Sequence, residues 1–263
     1  MIPEGYCKIN RPTPDDLKNK HLYSNILIIG TGPSTAKLIK YKDQLRCKFG
    51  VIMGLNFSTK DFEDILDYHV ILEKDPVGAY TEMNQNKDKF RKDLPRILNW
   101  KTLHKFPQDF DIYKATRSNF GFKPDIEKYK HNGYEGLLVG PLDSKGLSAG
   151  SVMLNGIHLA CIMGCVNIYM IGADLVFKGE HDHYYPDNKF YRKSKTKLAN
   201  RSPIVKVQHN GKECESTEFF VSSAKYIDEI VEECKKLQIE IFDFSDGLLT
   251  KPLKLDVDEF FGE

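Results

Sequence analysis

The chain carries no excess of either charge. Lys and Arg together number 38 and Asp and Glu 37, giving a formal net charge of +1 over 263 residues. A sequence-independent grip on nucleic acid needs a basic excess or patch, so nucleic acid is not expected as a partner. The one locally basic run, "KFYRKSKTKLANR" (Lys189 to Arg201), reads as a solvated loop face. Long apolar runs are also missing. No segment reaches the roughly 20 residues of a membrane span, and the amino-terminal "MIPEGYCKINRPTPDDLKNK" has no apolar signal core. Among the six cysteines there is no C-x-x-C pair, which argues against a zinc ribbon or a thioredoxin-like centre. Cys161 and Cys165, in an apolar setting, read as small core residues, and reduced thiols fit a cytoplasmic protein. Peripheral membrane contact is compatible with this composition.

What is present is a repeated strand–helix pattern. "NILIIGTGPSTAKLI" opens it: four aliphatic residues, Ile26 to Ile29, run without interruption, as in a strand buried on both faces. A helix is expected next, with Ser34 as a capping type and Ala36, Leu38 and Ile39 at helical spacing. "KFGVIMGLN" (Lys48 to Asn56) is a second strand, Ser58 or Thr59 can cap another helix, and "DYHVILEKDP" (Asp67 to Pro76) is a third strand. This β-α-β-α-β order signals a parallel sheet with helical crossovers. In the less regular middle (77–135), "LPRILNW" and "DFDIYKAT" are candidate strands.

Regularity returns at "LSAGSVMLNGIHLACIMGCVNIYMIGADLVF" (Leu147 to Phe177). A helix begins at Ser148 or Ser151, is apolar nearly all round, ends at Gly164, and leads into a buried strand. Residues 178–215 carry little periodicity and read as a long lid loop. "STEFFVSSAKYIDEIVEECKKL" is an amphipathic helix with Ser216 as its expected cap, and "QIEIFDFSDG" is the last strand. The expected fold is a doubly wound, mostly parallel, Rossmann-like α/β domain over 25–250. An N-terminal extension (1–24) and a C-terminal tail (251–263) would flank it.

Ligands on such sheets bind beyond the carboxyl ends of the strands. "GTGPS", Asn56, "GADL" and "DFSDG" all follow strands and should gather on one edge. The unpaired N–H groups of a helix start after "GTGPS" would attract an anion. The stretch has neither the third glycine of a dinucleotide fingerprint nor a Gly-Lys-Ser/Thr Walker sequence, so a plain turn is its other reading. Asp243 and Ser245 can close a pocket or merely end a strand. His181, Asp182 and His183 alternate as potential metal ligands, a weak signal without a distant third ligand. His158 reads as an interior histidine.

In their order and spacing, "GTGPS", "GLNFS", "SAGSVMLNGIHLACIMGCVNIYMIGADLVF" and, more weakly, "DFSDGLL" resemble the bacterial sialyltransferases of glycosyltransferase family 42. Their wider relatives include motility-associated-factor glycosyltransferase-like proteins and archaeal 6-hydroxymethylpterin pyrophosphokinases. The resemblance covers about half of the chain. It implies a GT-A-variant, sialyltransferase-like fold and an inverting glycosyltransferase that needs no metal or other cofactor. The donor would be a CMP-sugar carrying sialic acid or a related nonulosonic acid, and the acceptor a glycan. By the same resemblance Gly30, Thr31, Gly32, Pro33, Ser34, Asn56, Ser148, Ala149, Gly150 and Asp174 hold the nucleotide. His209 is the general base, and Tyr184 and Tyr185 contact the leaving phosphate. An imidazole titrates near working pH and suits proton removal from an acceptor hydroxyl. The chain departs from the sialyltransferase pattern at Thr31, Gly146, Ala149 and Val176. The alternatives are an ATP- and Mg²⁺-dependent pyrophosphokinase of the pterin type and a nucleotide-binding module without catalysis.

Overall fold

The computed structural model describes residues 14–71, 90–99, 112–115, 151–177 and 202–262. Among the described residues eight strands form one sheet: β1 Asn25–Ile29, β2 Val51–Leu55, β3 Tyr68–Ile71, β4 Arg96–Asn99, β5 Ile112–Ala115, β6 Asn167–Ile171, β9 Glu240–Asp243 and β10 Leu253–Lys254. Their order is β10-β9-β6-β1-β2-β3-β4-β5, and every pairing is parallel. From β1 the chain winds outward through β2 to β5, then returns to place β6 on the other side of β1. The point where the winding reverses therefore lies between β1 and β6. The expected fold class holds, and both candidate strands of the irregular middle are strands.

Alternation along each strand sends side chains to two apolar layers. Ile26, Ile28, Val51, Met53, Ile168 and Met170 pack with α3 (Val152–Ile162) and α4 (Glu218–Lys236). Leu27, Ile29, Ile52 and Ile171 pack on the opposite face, where Leu38, Leu45, Val257 and Phe261 cover them. The latter four come from the segment after β1, from α1 (Leu45–Lys48) and from α5 (Val257–Gly262). A short α2 (Thr59–Phe62) follows β2.

Several local expectations change. The segment after "GTG" is a run of 3₁₀ turns over Pro33–Gln44 rather than an α-helix. Its buried residues are Ser34, Thr35 and Leu38; Thr35, Leu38 and the half-buried Tyr41 stand at a spacing of three that 3₁₀ geometry aligns, and Ala36 and Ile39 face solvent. α3 uses Ser151, whose side chain accepts from the Met153 N–H. α4 is capped by Thr217 and not by Ser216: Thr217 Oγ1 accepts from the Phe220 N–H at 3.1 Å, while Ser216 Oγ donates to the Leu175 carbonyl at 2.6 Å.

The expected lid loop ends in a separate antiparallel hairpin, β7 (Ile204–His209) and β8 (Lys212–Thr217). Asn210 and Gly211 form its turn with φ of 49° and 72°, the left-handed pair of a type I′ two-residue loop. The described part of the N-terminal extension also packs onto the domain. Leu17 is fully buried, and the N–H groups of Asn19, His21 and Tyr23 donate to the carbonyls that end α3. The tail contributes β10 and α5 to the sheet and its cover.

Candidate functional site

β1 and β6 run side by side, and their contact continues past the strand ends. The Gly30 N–H donates to Ile171 O at 2.8 Å and the Gly32 N–H to Gly172 O at 3.1 Å. This close approach makes Gly32 necessary, because a Cβ there would run into Asp174 Oδ2. Asp174 is 4 % exposed. Its carboxylate accepts from Ser34 Oγ at 2.8 Å and from the Ser34 N–H at 3.2 Å. Ser34 Oγ in turn accepts from the Gly172 N–H at 3.0 Å. The donors expected at the "GTGPS" helix start are therefore already taken by the chain's own carboxylate. The turn is built, but its end at Ser34 holds an internal anion.

Burial pushes the Asp174 carboxyl up to about 6, against the two hydrogen bonds from Ser34 and with the help of the nearby Asp243 charge. The folded-state value lies above the ordinary 3.8, so between the two the native chain binds the extra proton. That stabilisation is complete below pH 3.8 and is lost as pH rises through about 6. The full swing is worth about 3 kcal/mol. Asp174→Asn keeps an oxygen for Ser34 and removes the titration. Urea unfolding between pH 4 and 7 should show this component of the pH dependence in the wild type and not in the variant.

The segment after β9 closes over the same corner. Ser245 Oγ accepts from the Ala173 N–H at 2.9 Å, the Leu248 N–H donates to Asp174 O at 3.1 Å, and Gly247 lies directly against the Asp174 backbone. Asp243, fully buried, takes the Ser245 N–H at 2.8 Å and the Lys254 ammonium at 2.6 Å. Asp243 and Ser245 thus do more than end a strand, since they clasp the Gly172–Asp174 turn.

Beside this clasp stands His209, at the tip of the hairpin. Its Nε2 lies 3.0 Å from Asp246 Oδ1, and Asn210 Nδ2 donates to the same oxygen at 3.0 Å. The hydrogen bond from His209 holds the Asp246 carboxyl below its usual range. Asn210 Nδ2 also lies 3.0 Å from Nε2; in the tautomer whose Nε2–H donates to Asp246, the other ring nitrogen keeps its lone pair, the arrangement of an oriented base. Asp246 precedes Gly247, so the dyad sits one residue from the Asp174 contact.

Asn56 ends β2, one strand across from β1, with φ of 48°. The structure brings Gly30, Thr31, Gly32, Pro33, Ser34, Asn56, Asp174 and His209 to the carboxyl edge of the sheet. Ser148, Ala149, Gly150, Tyr184 and Tyr185 lie outside the described residues, as do His181, Asp182 and His183. Asp246 gives no signal in the sequence beyond its place after a strand. Among the described residues no cluster of three or more His, Cys, Asp or Glu side chains is arranged to hold a metal ion, and no helix is long and apolar enough to cross a membrane.

A parallel sheet reversing at β1/β6, with its loops gathered on one edge, has a counterpart among solved structures. The chain shares its fold with a MAf glycosyltransferase. That protein, from Magnetospirillum magneticum AMB-1, superposes with a TM-score of 0.53 at 17 % identity. The match covers 93 % of this chain and 37 % of the other, so this chain spans little more than a third of that protein's length. No protein-family model matches the sequence, and no curated protein does. At this identity the likeness speaks for the fold alone.

Proposed function

We propose that this chain is a glycosyltransferase that transfers sialic acid or a related nonulosonic acid from a CMP-sugar to a glycan acceptor, with inversion. The observation that carries the reading is the His209–Asp246 dyad, held one residue from the Asp174 turn at the reversal point of the sheet. The shared fold with a MAf glycosyltransferase supports it.

In the proposed reaction the acceptor hydroxyl attacks the anomeric carbon and its proton passes to His209. The bond from that carbon to the phosphate oxygen breaks, and CMP leaves with the electron pair. Tyr184 and Tyr185 are assigned to the leaving phosphate. Thr31, Asn56 and the Ser148–Gly150 turn are assigned to the nucleotide. Because Ser34 already serves a buried carboxylate, the neutral nucleoside rather than the phosphate belongs next to Asp174: a second anion there would meet like charge.

Thermal unfolding with CMP, CDP, UDP, GDP and ATP, each with and without Mg²⁺, tests the reading. A ligand present at 100 times its Kd stabilises by about 2.7 kcal/mol. Stabilisation by CMP without metal is the expected result. Stabilisation by ATP with Mg²⁺ alone would overturn it in favour of pyrophosphoryl transfer. Nucleotide binding without sugar transfer would leave a binding module without catalysis.

A further inference from the structure

The carboxyl edge of the sheet is satisfied in one half and short of partners in the other. Over β1, β6 and β9, the side chains of Asp174, Ser34, Asp243 and Ser245 all have hydrogen-bond partners. Over β2 and β3, the Asn56 side-chain oxygen, Ser58 Oγ and His69 Nδ1 are all buried with no hydrogen-bond partner among the described residues. Buried polar atoms without partners are rare in a native fold, and three at one strand end ask for an explanation.

The local geometry shows how the three are brought together. Gly54 of β2 is in register with His69 of β3, which is in register with Arg96 of β4. This row belongs to the face that carries Leu27, Ile29, Ile52 and Ile171. Gly54 leaves the space that Ser58 Oγ fills, since a Cβ at 54 would strike that oxygen. His69, fully buried, reaches from the sheet to the end of β2, where its Nε2 lies 2.6 Å from the Asn56 carbonyl. Burial, with the Arg96 charge, lowers the imidazole to about 3. It is neutral at working pH, so Nε2–H donates and Nδ1 carries the lone pair. Asn56 itself is in the left-handed region, which asparagine tolerates better than most residues but which still needs holding.

We infer that His69 is a positioning residue of the nucleotide site, clamping the Asn56 backbone in its left-handed turn so that the Asn56 amide is presented to a ligand donor. This rests on the nucleotide-site reading above. A ligand N–H or O–H is the partner that the buried amide oxygen lacks. His69 touches no ligand and acts through Asn56.

The test is calorimetric titration of CMP into the wild type, His69→Leu and His69→Gln, with thermal unfolding of each unliganded protein alongside. The leucine variant should bind CMP about five- to tenfold more weakly, the loss of one aligned neutral hydrogen bond. Glutamine, which keeps an N–H donor, should recover most of that affinity. A purely structural role would lower the melting temperature of both variants and leave their affinities equal to the wild type, which would overturn the inference.

If the leucine variant does not fold, the wild type labelled with ¹⁵N-histidine carries the test. The His69 Nε2 resonance should move when CMP is added, and an unmoved resonance at saturation would overturn the inference. A wild-type chain that takes none of the nucleotides overturns the site reading and this inference together. One that binds CMP, beside a leucine variant that binds it equally well, overturns the inference alone.

Discussion

Replacing His209 with alanine is expected to lower sugar transfer by about 10²- to 10⁴-fold, the range that a positioned general base contributes. Nucleotide affinity should hardly change, because His209 stands on the hairpin and not on the loops assigned to the donor. Its side chain is 18 % exposed and its contacts are to Asp246 and Asn210, so the substitution removes no core packing. Asp246→Asn should cost less than the alanine at 209. An amide can still meet the ring, but it no longer selects the tautomer in which Nε2 donates. Initial rates with a CMP-sugar donor, set beside CMP affinities for the same variants, separate the two effects. Equal rates for the wild type and His209→Ala would remove His209 from the chemistry.

Arg96→Leu should destabilise the fold by about 3–5 kcal/mol, the usual result of removing one partner from a buried ion pair. Arg96 is fully buried, donating to Glu63 Oε1 at 2.7 Å and to the Leu94 carbonyl at 3.0 Å. Glu63 Oε1 also accepts from the Arg91 N–H at 2.7 Å. Burial lowers the guanidinium to about 10 and raises the Glu63 carboxyl, so desolvation is the leading influence on both partners. A leucine at 96 leaves the Glu63 carboxylate without its main counter-charge. The double variant Glu63→Leu with Arg96→Leu should therefore be more stable than Arg96→Leu alone, which urea unfolding of the two would reveal. A double variant less stable than the single one would show that the carboxylate has other work to do at that position.

The sheet was legible because strands buried on both faces must be continuous aliphatic runs, and Ile26 to Ile29 or Val51 to Leu55 allow little else. The 3₁₀ run after "GTG" was not. Ala36, Leu38 and Ile39 fit a helical stripe, whereas packing chose Thr35, Leu38 and Tyr41, and a hydroxyl facing inward gives no apolar signal. The hairpin did carry a signal in Asn210-Gly211, but the polar residues around it hid the alternation of Val205, Val207 and His209. The Ser34–Asp174 contact joins residues 140 apart. No local pattern could announce it, and it alters the reading of the loop more than any neighbour does. His209 rests on a resemblance, whereas Asn56 also shows itself at the end of an apolar strand. Asp246 and His69 needed coordinates, since each matters only for the partner it reaches.

The reversal of the sheet between β1 and β6 has a consequence for how the chain is made. β1 emerges early and finds β2 quickly, but its other edge waits for a strand that begins at Asn167. Until then the most aliphatic strand of the protein is an open edge, a template for pairing with other chains. Closing so long a loop is slow, because its entropy must be spent before the contact returns anything. The Ser34–Asp174 clasp can form only after that closure, so the corner assigned to the nucleotide is among the last parts of the domain to exist. A chain stopped short of β6 would have five of the eight strands and neither Asp174 nor Asp246.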